Sequence, residues 1–398
     1  MTSSVNDVLP ADQQGLFVGR VWHNGRQLPV PVLLHEGKVW DISQLAVTTS
    51  GLFELEDLSA QLAEATMVPP AWSVEDLALE SEGRSEAPLL LAPLDLQVIK
   101  ACGVTFVGSM IERVIEERGG GDPAAAAAVR SQMQAEVGVD LSTVTPGSEE
   151  ASTVKSALQK RGWWSQYLEV GLGPDPEVFT KAPVLSAVGA GSPIGVPDFS
   201  SWNNPEPELV LVADSRGRTV GVTLGNDVNL RDVEGRSALL LGMAKDNNRS
   251  TALGPFIRVF DESFTIDDAR SLDITLTVEG PEGYTLRGLN SVSALSRSFE
   301  DLVAATHGDH HQYPDGFVLF TGTLFAPTED RDVPGEGFTH RIGDVVTIAN
   351  ERLGALVNEV GRCEELPGWT YGVGSLMRDV LRAHPMTPLT RPGPGSNA

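Results

Sequence analysis

The sequence predicts an α+β protein, mainly β, with a small β-rich N-terminal unit ahead of a larger unit. Three observations carry that reading. At 398 residues the chain exceeds one typical domain. After residue 175 it breaks into short runs rich in Val, Leu, Ile and Thr ("ELVLVAD", "TVGVTLG", "DITLTVEG", "GFVLFTGTLFAP", "DVVTIAN") with turns between them, the mark of antiparallel strands. Helical spacing is instead found just before that region, between residues 106 and 137.

Taken in order, residues 15–46 read as short strands punctuated by "HNGR" and "HEGK", turn chemistry suited to hairpins. Residues 50–94 mix short amphipathic pieces with "MVPPAW" and "LESEGRSEAP", which places the boundary near residue 90 and divides the chain into 1–90 and 91–398. A strand over Val98 to Thr105 then runs into a helix carrying Ile111, Val114 and Ile115 at helical spacing. Next, Gly119, Gly120 and Gly121 read as a flexible hinge, Asp122 as a cap and Pro123 as the first residue of an alanine-rich helix. The residues leave open whether that helix is a lid or a plain surface helix.

Composition removes several classes of function. A net charge of −25 and a pI near 4.6 repel nucleic acid and anionic membrane, both of which need basic surface. The two cysteines, Cys102 and Cys363, form no metal-ligand spacing and fit a reducing compartment. The first residues, "MTSSVNDVLPADQQ", show neither a basic nor an apolar leader region, and eighteen apolar residues never run together. The expectation is a soluble cytoplasmic protein.

The stretch "SWNNPEPELVLVAD" raises a chemical question. Glu206 and Glu208 flank Pro207 at the start of a strand, so both carboxylates project from one face. Two surface glutamates at a strand end are the plainer reading of the pair alone. On a shared face, however, like charges repel unless a cation sits between them or one is protonated. Asp227 follows after the turn "DSRGR" and the return strand, where a hairpin would bring it back beside the pair, and Glu177 precedes another short strand. Oxygen ligands without a partnering Cys or His suit a hard cation, Mg2+ first, with Mn2+ or Ca2+ as alternatives. The cluster His307, His310, His311 lacks a fourth ligand at a recognisable spacing and reads as a surface loop rather than a zinc site, with contact of His311 or Gln312 to a substrate hydroxyl as the other option.

The ordered set Glu206-x-Glu208, Asp227-x-x-x-Arg231, Lys245 with Gly254-Pro255, Thr321-Gly322-Thr323, Gly343-Asp344-x-Val346 and Leu356-x-Asn358-x-Val360 resembles the fumarylacetoacetate hydrolase superfamily over roughly residues 98–362. The resemblance implies a catalytic unit built as a β-sandwich roll, assembly as homodimers or homotetramers, and a 2-oxo acid substrate. By position it makes Glu206, Glu208 and Asp227 the metal ligands, Lys245 the active-site lysine, and Lys181 a substrate contact, although Ala182 interposes before the family's proline. Arg231, Thr321, Gly322 and Thr323 take substrate-binding roles on the same grounds, Arg231 either clamping the substrate carboxylate or pairing with Asp232.

Hydrolytic members carry N-Y-x-x-H-x-x-E, whereas "VTFVGSMIE" has Phe106 for the tyrosine and Ser109 for the histidine, keeping Glu112. A serine does not titrate near neutral pH and cannot activate water as an imidazole does. The strings "ACGVTFVGSMIERVIEE", "SWNNPEPE", "GNDVNLRDVEGRSALLLGMAKDNN" and "FAPTEDR" resemble the dehydratase branch, which acts on 2-keto-3-deoxy pentonates in oxidative pentose catabolism. The implied reaction removes a proton from C3 and hydroxide from C4, and rearrangement through C5 gives 2,5-dioxopentanoate. Lys245, its pKa lowered beside a cation, Glu177, set among apolar neighbours, and Glu112 are the candidates for acid and base. The competing readings are a C–C hydrolase of acylpyruvate or a diketo sugar acid, an oxaloacetate decarboxylase, and a non-catalytic sugar-acid binding protein.

Overall fold

The fold is seen in a computed structural model and is described for residues 4–82, 86–136, 144–160, 162–325, 329–331 and 337–383. Near the N-terminus, Phe17–His23 (β1), Leu28–His35 (β2) and Lys38–Asp41 (β3) form an antiparallel meander. Its second turn is the two-residue loop Glu36-Gly37, both residues at positive φ (49° and 71°), the geometry that matches strand twist in a tight hairpin. Helices Thr49–Phe53 (α1) and Leu58–Ala65 (α2) lay Leu52, Phe53, Leu58 and Leu62 over Val18, Leu33 and Trp40. Trp72–Ser73 (β4) and Leu89–Leu91 (β5) then pair with β3 and β1.

Val98–Gly103 (β6) leads into four helices: Val107–Arg118 (α3), Pro123–Glu136 (α4), Glu149–Lys160 (α5) and Gln166–Leu172 (α6). β6 stops two residues short of the expected end because Val104 turns to positive φ (58°), a conformation rare for a β-branched residue. Asp122 does cap α4, its Oδ1 accepting from the Ala125 amide at 2.7 Å. Two of the three glycines before it, however, answer to close packing rather than to hinging, while Gly120, at a φ of 63°, has open space around it. A Cβ on Gly119 would lie 2.8 Å from the Ala126 nitrogen, and one on Gly121 would strike the Asp232 carbonyl.

The chain continues through Glu177–Ala182 (β7), Ile194–Val196 (β8), Asn203–Asn204 (β9), Pro207–Ala213 (β10), Thr219–Asp227 (β11), Asn229–Leu230 (β12), Arg231–Glu234 (α7), Leu241–Lys245 (α8) and Thr251–Val259 (β13). It ends with Ile266–Arg270 (α9), Asp273–Glu279 (β14), Thr285–Ser291 (β15), Phe299–Thr306 (α10), Phe317–Phe320 (β16), Val345–Asn350 (β17), Gly354–Arg362 (β18) and Val373–Ala383 (α11).

Two sheets stack. The larger runs β4-β3-β2-β1-β13-β11-β10-β16-β6-β7, with β5 on β1, and the smaller runs β15-β14-β17-β18-β8. The N-terminal meander therefore extends the large sheet, through Phe17 opposite Arg258 and Val18 opposite Ile257. β10 lies in the middle of that sheet and is buried on both faces. Its odd residues, Leu209 and Leu211, pack with Ile274, Leu276, Val346 and Ile348 of the small sheet. Its even residues, Val210 and Val212, pack with Leu253, Ile257 and the N-terminal helices. A third cluster, with Val114, Ile115, Leu158, Trp163 and Trp202, holds the α3–α6 segment over the open end of β10 and β11.

Candidate active site

Antiparallel pairing of β10 with β11 sets Pro207 opposite Asn226 and Glu208 opposite Gly225, and the Asp227 amide donates to the Glu206 carbonyl at 3.0 Å. The hairpin thus returns Asp227 beside the glutamate pair. One carboxylate oxygen from each of Glu206, Glu208 and Asp227 lies within 4.8 Å of the others, and all three residues are buried. Hard oxygen donors gathered this closely, without sulfur or imidazole, fit an Mg2+-type ion.

Each acid is held by a different element. The Gly322 amide donates to Glu208 Oε2 at 2.6 Å, from a turn where Gly322 has φ of 95° and presses on the Thr105 side chain. Lys245, the last residue of α8, donates to Glu206 Oε2 at 2.5 Å and to Asp227 Oδ2 at 3.0 Å. Lys181 reaches Asp227 Oδ1 at 3.0 Å from the other side and also donates to the Lys245 carbonyl. Arg113, from α3, closes on Glu206 and also pairs with Glu116 (2.7 Å) and Glu234 (3.1 Å).

Among the described residues, five carboxylates (Glu177, Glu206, Glu208, Asp227, Glu234) and two cations (Arg113, Lys245) face one small cavity, with Lys181 behind. The electrostatics follow. Burial, then the charges of Asp227 and Glu206, push the Glu208 carboxyl well above its usual range. Burial, then Glu234, push Glu177 up to about 7. Asp227 is held below the usual range, because Lys181 and Lys245 outweigh its burial. With the protein's own charges alone, burial opposes the charge of Lys245, but Asp227, Glu206 and Glu234 outweigh burial and hold the ammonium above its ordinary value; the lowering expected for Lys245 belongs to a site that also holds a cation, a different balance of charge.

α3 presents Ser109, Glu112, Arg113 and Glu116 along one face at positions i, i+3, i+4 and i+7. Ser109 lines the cavity with its hydroxyl donating to the Phe106 carbonyl at 2.9 Å. Glu112 faces an adjoining outer pocket and is held by Arg130 at 2.6 Å. Arg231 also lies there, paired with Glu116 at 2.7 Å and stacked 4.1 Å from the Trp202 ring centroid. It does not pair with Asp232, whose carboxylate instead accepts from Ser200 and Ser201. Thr323 lines both pockets, whereas Thr321 is turned away, its hydroxyl donating to the Leu209 carbonyl at 2.9 Å. Lys181 is fully buried behind Asp227 and is absent from the lining of either pocket.

His307 bonds the Ser215 carbonyl and stacks on Phe317, at the opposite end of β16 from Thr321. Neither His311 nor Gln312 lines the site pockets, so contact with a substrate hydroxyl finds no support there. Two functional side chains escaped sequence reasoning. Arg113 was legible as the i+4 neighbour of Ser109 on the helix face. Glu234 carried no signal, since the short helix α7 brings it back to the site.

Residues 154–361 match the family described as fumarylacetoacetate (FAA) hydrolase, C-terminal. Two curated proteins are similar. One, named probable 2-keto-3-deoxyxylonate dehydratase, from Haloferax volcanii, is 33% identical over 54% of this chain and 68% of its own length. The other, named 2-dehydro-3-deoxy-D-arabinonate dehydratase, from Saccharolobus solfataricus, is 35% identical over 46% of this chain and 58% of its own. Among solved structures, a 2-keto-3-deoxy-D-arabinonate dehydratase in its apo form superposes with a TM-score of 0.59 at 22% identity, over 87% of this chain and 99% of that one. A structure of the same name, complexed with magnesium and 2,5-dioxopentanoate, gives the same score, identity and coverage.

Proposed function

Because the chain belongs to the fumarylacetoacetate hydrolase family, we propose that it is a metal-dependent hydro-lyase that converts a 2-keto-3-deoxy pentonate to 2,5-dioxopentanoate. The observation that carries this reading is the trio Glu206, Glu208 and Asp227, within 4.8 Å of one another in a cavity with more acids than bases. The relatives' names supply the substrate class.

Glu206, Glu208 and Asp227 would hold the ion, Mg2+ first and Mn2+ or Ca2+ as alternatives, and when bound it supplies Lewis-acid polarisation of the 2-oxo group. The protein's own groups do the rest. Glu177, pushed up to about 7, suits removal of a C3 proton and its delivery to the departing C4 hydroxyl. Lys245, whose ammonium lies against Glu206 and Asp227, stands beside the reacting end and can donate to the oxygen that gains electrons. Glu112 and Arg231 form the wall of the outer pocket, where the distal hydroxyls would lie, and Thr323 spans both pockets. Loss of the C3 proton and cleavage of the C4–O bond release one water, transfer of a C5 proton to C3 leaves an enol between C4 and C5, and passage of the C5 hydroxyl proton to C4 gives the dioxo acid. Among the described residues no histidine lines either pocket, and the Ser109 hydroxyl is engaged, which supports elimination over hydrolysis.

The space left is small, about 20 Å³ in the inner pocket and about 10 Å³ in the outer. Entry of a five-carbon acid therefore requires side chains that line the two pockets, Arg113 on Glu206 among them, to give way. The apolar face of α11, with Val373, Met377 and Leu381 all exposed, supports assembly into a homodimer or homotetramer. The two unpaired cysteines support a cytoplasmic setting, and no helix among the described residues is long and apolar enough to cross a membrane.

The test is formation of 2,5-dioxopentanoate from a 2-keto-3-deoxy-D-pentonate with Mg2+, in parallel with acylpyruvate cleavage. The Glu206→Ala/Glu208→Ala variant should lose about a thousandfold in kcat/KM, the several kcal/mol that a Lewis acid contributes. Equal activity of variant and wild type removes the metal from the mechanism, and cleavage of acylpyruvate alone replaces the dehydratase with a hydrolase.

A further inference from the structure

A second pocket lies away from the acid cavity, between β1, the 185–192 loop and the segment that leads into α11. It holds about 330 Å³, within the range of small-molecule sites. Arg20 lines it and is only 6% exposed, and its Nε and Nη1 have no hydrogen-bond acceptor among the described residues. The acid that acts on it, Asp95, directs its carboxylate to the amides of Thr49 (2.6 Å), Ser50 (3.0 Å) and Leu96 (2.7 Å). The guanidinium is therefore buried without a contacting counter-charge, an arrangement that proteins ordinarily avoid.

The surroundings narrow the ligand. Trp22, two residues along the same strand face, meets Tyr371 edge-on with ring centroids 5.7 Å apart, and Trp369, 48% exposed, stands at the mouth. The one other cation in the wall among the described residues, Arg249, is already paired with Glu80 at 3.0 Å. One uncompensated guanidinium beside aromatic walls matches a single carboxylate on a flat or apolar body. A phosphate dianion would call for a second free cation. In a chain with net charge −25, such a pocket is a local exception.

We propose that this pocket binds a small organic monocarboxylate, its carboxylate on Arg20 and its body against Trp22 and Trp369. Calorimetric titration of the full chain with Mg2+ present tests it, with benzoate as the probe, benzamide as its neutral isostere and inorganic phosphate as an anion without a body. Benzoate should bind at least tenfold more tightly than either control. Arg20→Met should weaken benzoate at least tenfold while melting no lower than wild type, since it removes an uncompensated buried charge. Trp369→Ala, at an exposed position, should weaken benzoate about fivefold, and both variants should keep wild-type dehydration rates. Equal binding of benzoate and benzamide, tighter binding of phosphate, or unchanged benzoate affinity in either variant overturns the assignment. Should Arg20→Met fail to fold, the benzamide comparison and Trp369→Ala still decide it. Because dehydration is measured separately, failure here leaves the catalytic reading standing.

Discussion

At the open end of β10 and β11, five carboxylates share a cavity with Lys245 and Arg113; at the start of β17, Asp344 lies in a nest of donors. Arg331 grips Asp344 through two bonds of 2.6 and 2.7 Å, the Arg341 amide adds a third at 2.9 Å, and His340 stands at 3.4 Å. Burial works against ionisation of Asp344, yet Arg331, His340 and the Arg341 amide hold it at about 2. Glu208 is also buried and is pushed up, by burial first and then by the charges of Asp227 and Glu206, which Lys245 and the Gly322 amide do not offset. Both sites belong to the ordered motifs of the sequence. The one whose charges balance within the protein braces a fold, and the one left with surplus acid calls for something from outside.

Changing one member of each cluster separates these roles. Glu208→Gln keeps an acceptor for the Gly322 amide but removes a ligand and a crowded charge. Its turnover should fall a hundredfold or more, while the metal-free protein melts higher than wild type and Mg2+ no longer raises its melting temperature. Asp344→Asn should do the opposite, costing about 2 kcal/mol of stability by removing the buried charge that Arg331 grips, although Glu282 still holds the guanidinium at 2.8 Å, with turnover per folded molecule unchanged. Denaturant melts paired with activity on the same samples check both.

A third substitution is expected to act more gently. A Cβ on Gly103 would strike the Glu177 carboxyl, the far end of a flexible side chain. Gly103→Ala should therefore lower kcat about tenfold, roughly 1.4 kcal/mol at the transition state, with little change in melting temperature. The smallest effect is in pH. The folded value of Asp344, about 2, lies below its unfolded value, so its stabilisation is present above about pH 4 and is lost as pH falls toward 2. The difference in melting temperature between wild type and Asp344→Asn should narrow over that window.

The parts of the site that follow from strand alternation and hairpin return were legible in the sequence. Glu206, Glu208 and Asp227 meet because β10 and β11 pair in the register that "DSRGR" permits. Lys181 shows where this reasoning stops. Glu177, Phe179 and Lys181 share one face of β7, but only the first two line the cavity, and the third passes beneath Asp227. Arg113 and Glu234 meet across α3 and α7, a contact set by how helices dock on the sheet ends and written in no local pattern. The glycines before α4 suggested freedom, whereas a docked helix demands closeness at Gly119 and Gly121. Residues 326–328 of the string "FAPTEDR" lie outside the described residues, though Arg331 at its end proves to be the brace of Asp344.

The surplus of acid at β10 and β11 is the claim on which the function rests, and direct titration of Mg2+ into the metal-free protein tests it. The account requires one ion per chain, with binding abolished in Glu206→Ala/Glu208→Ala and retained in Asp344→Asn. Absence of binding to wild type, or binding that survives the double substitution, would contradict it.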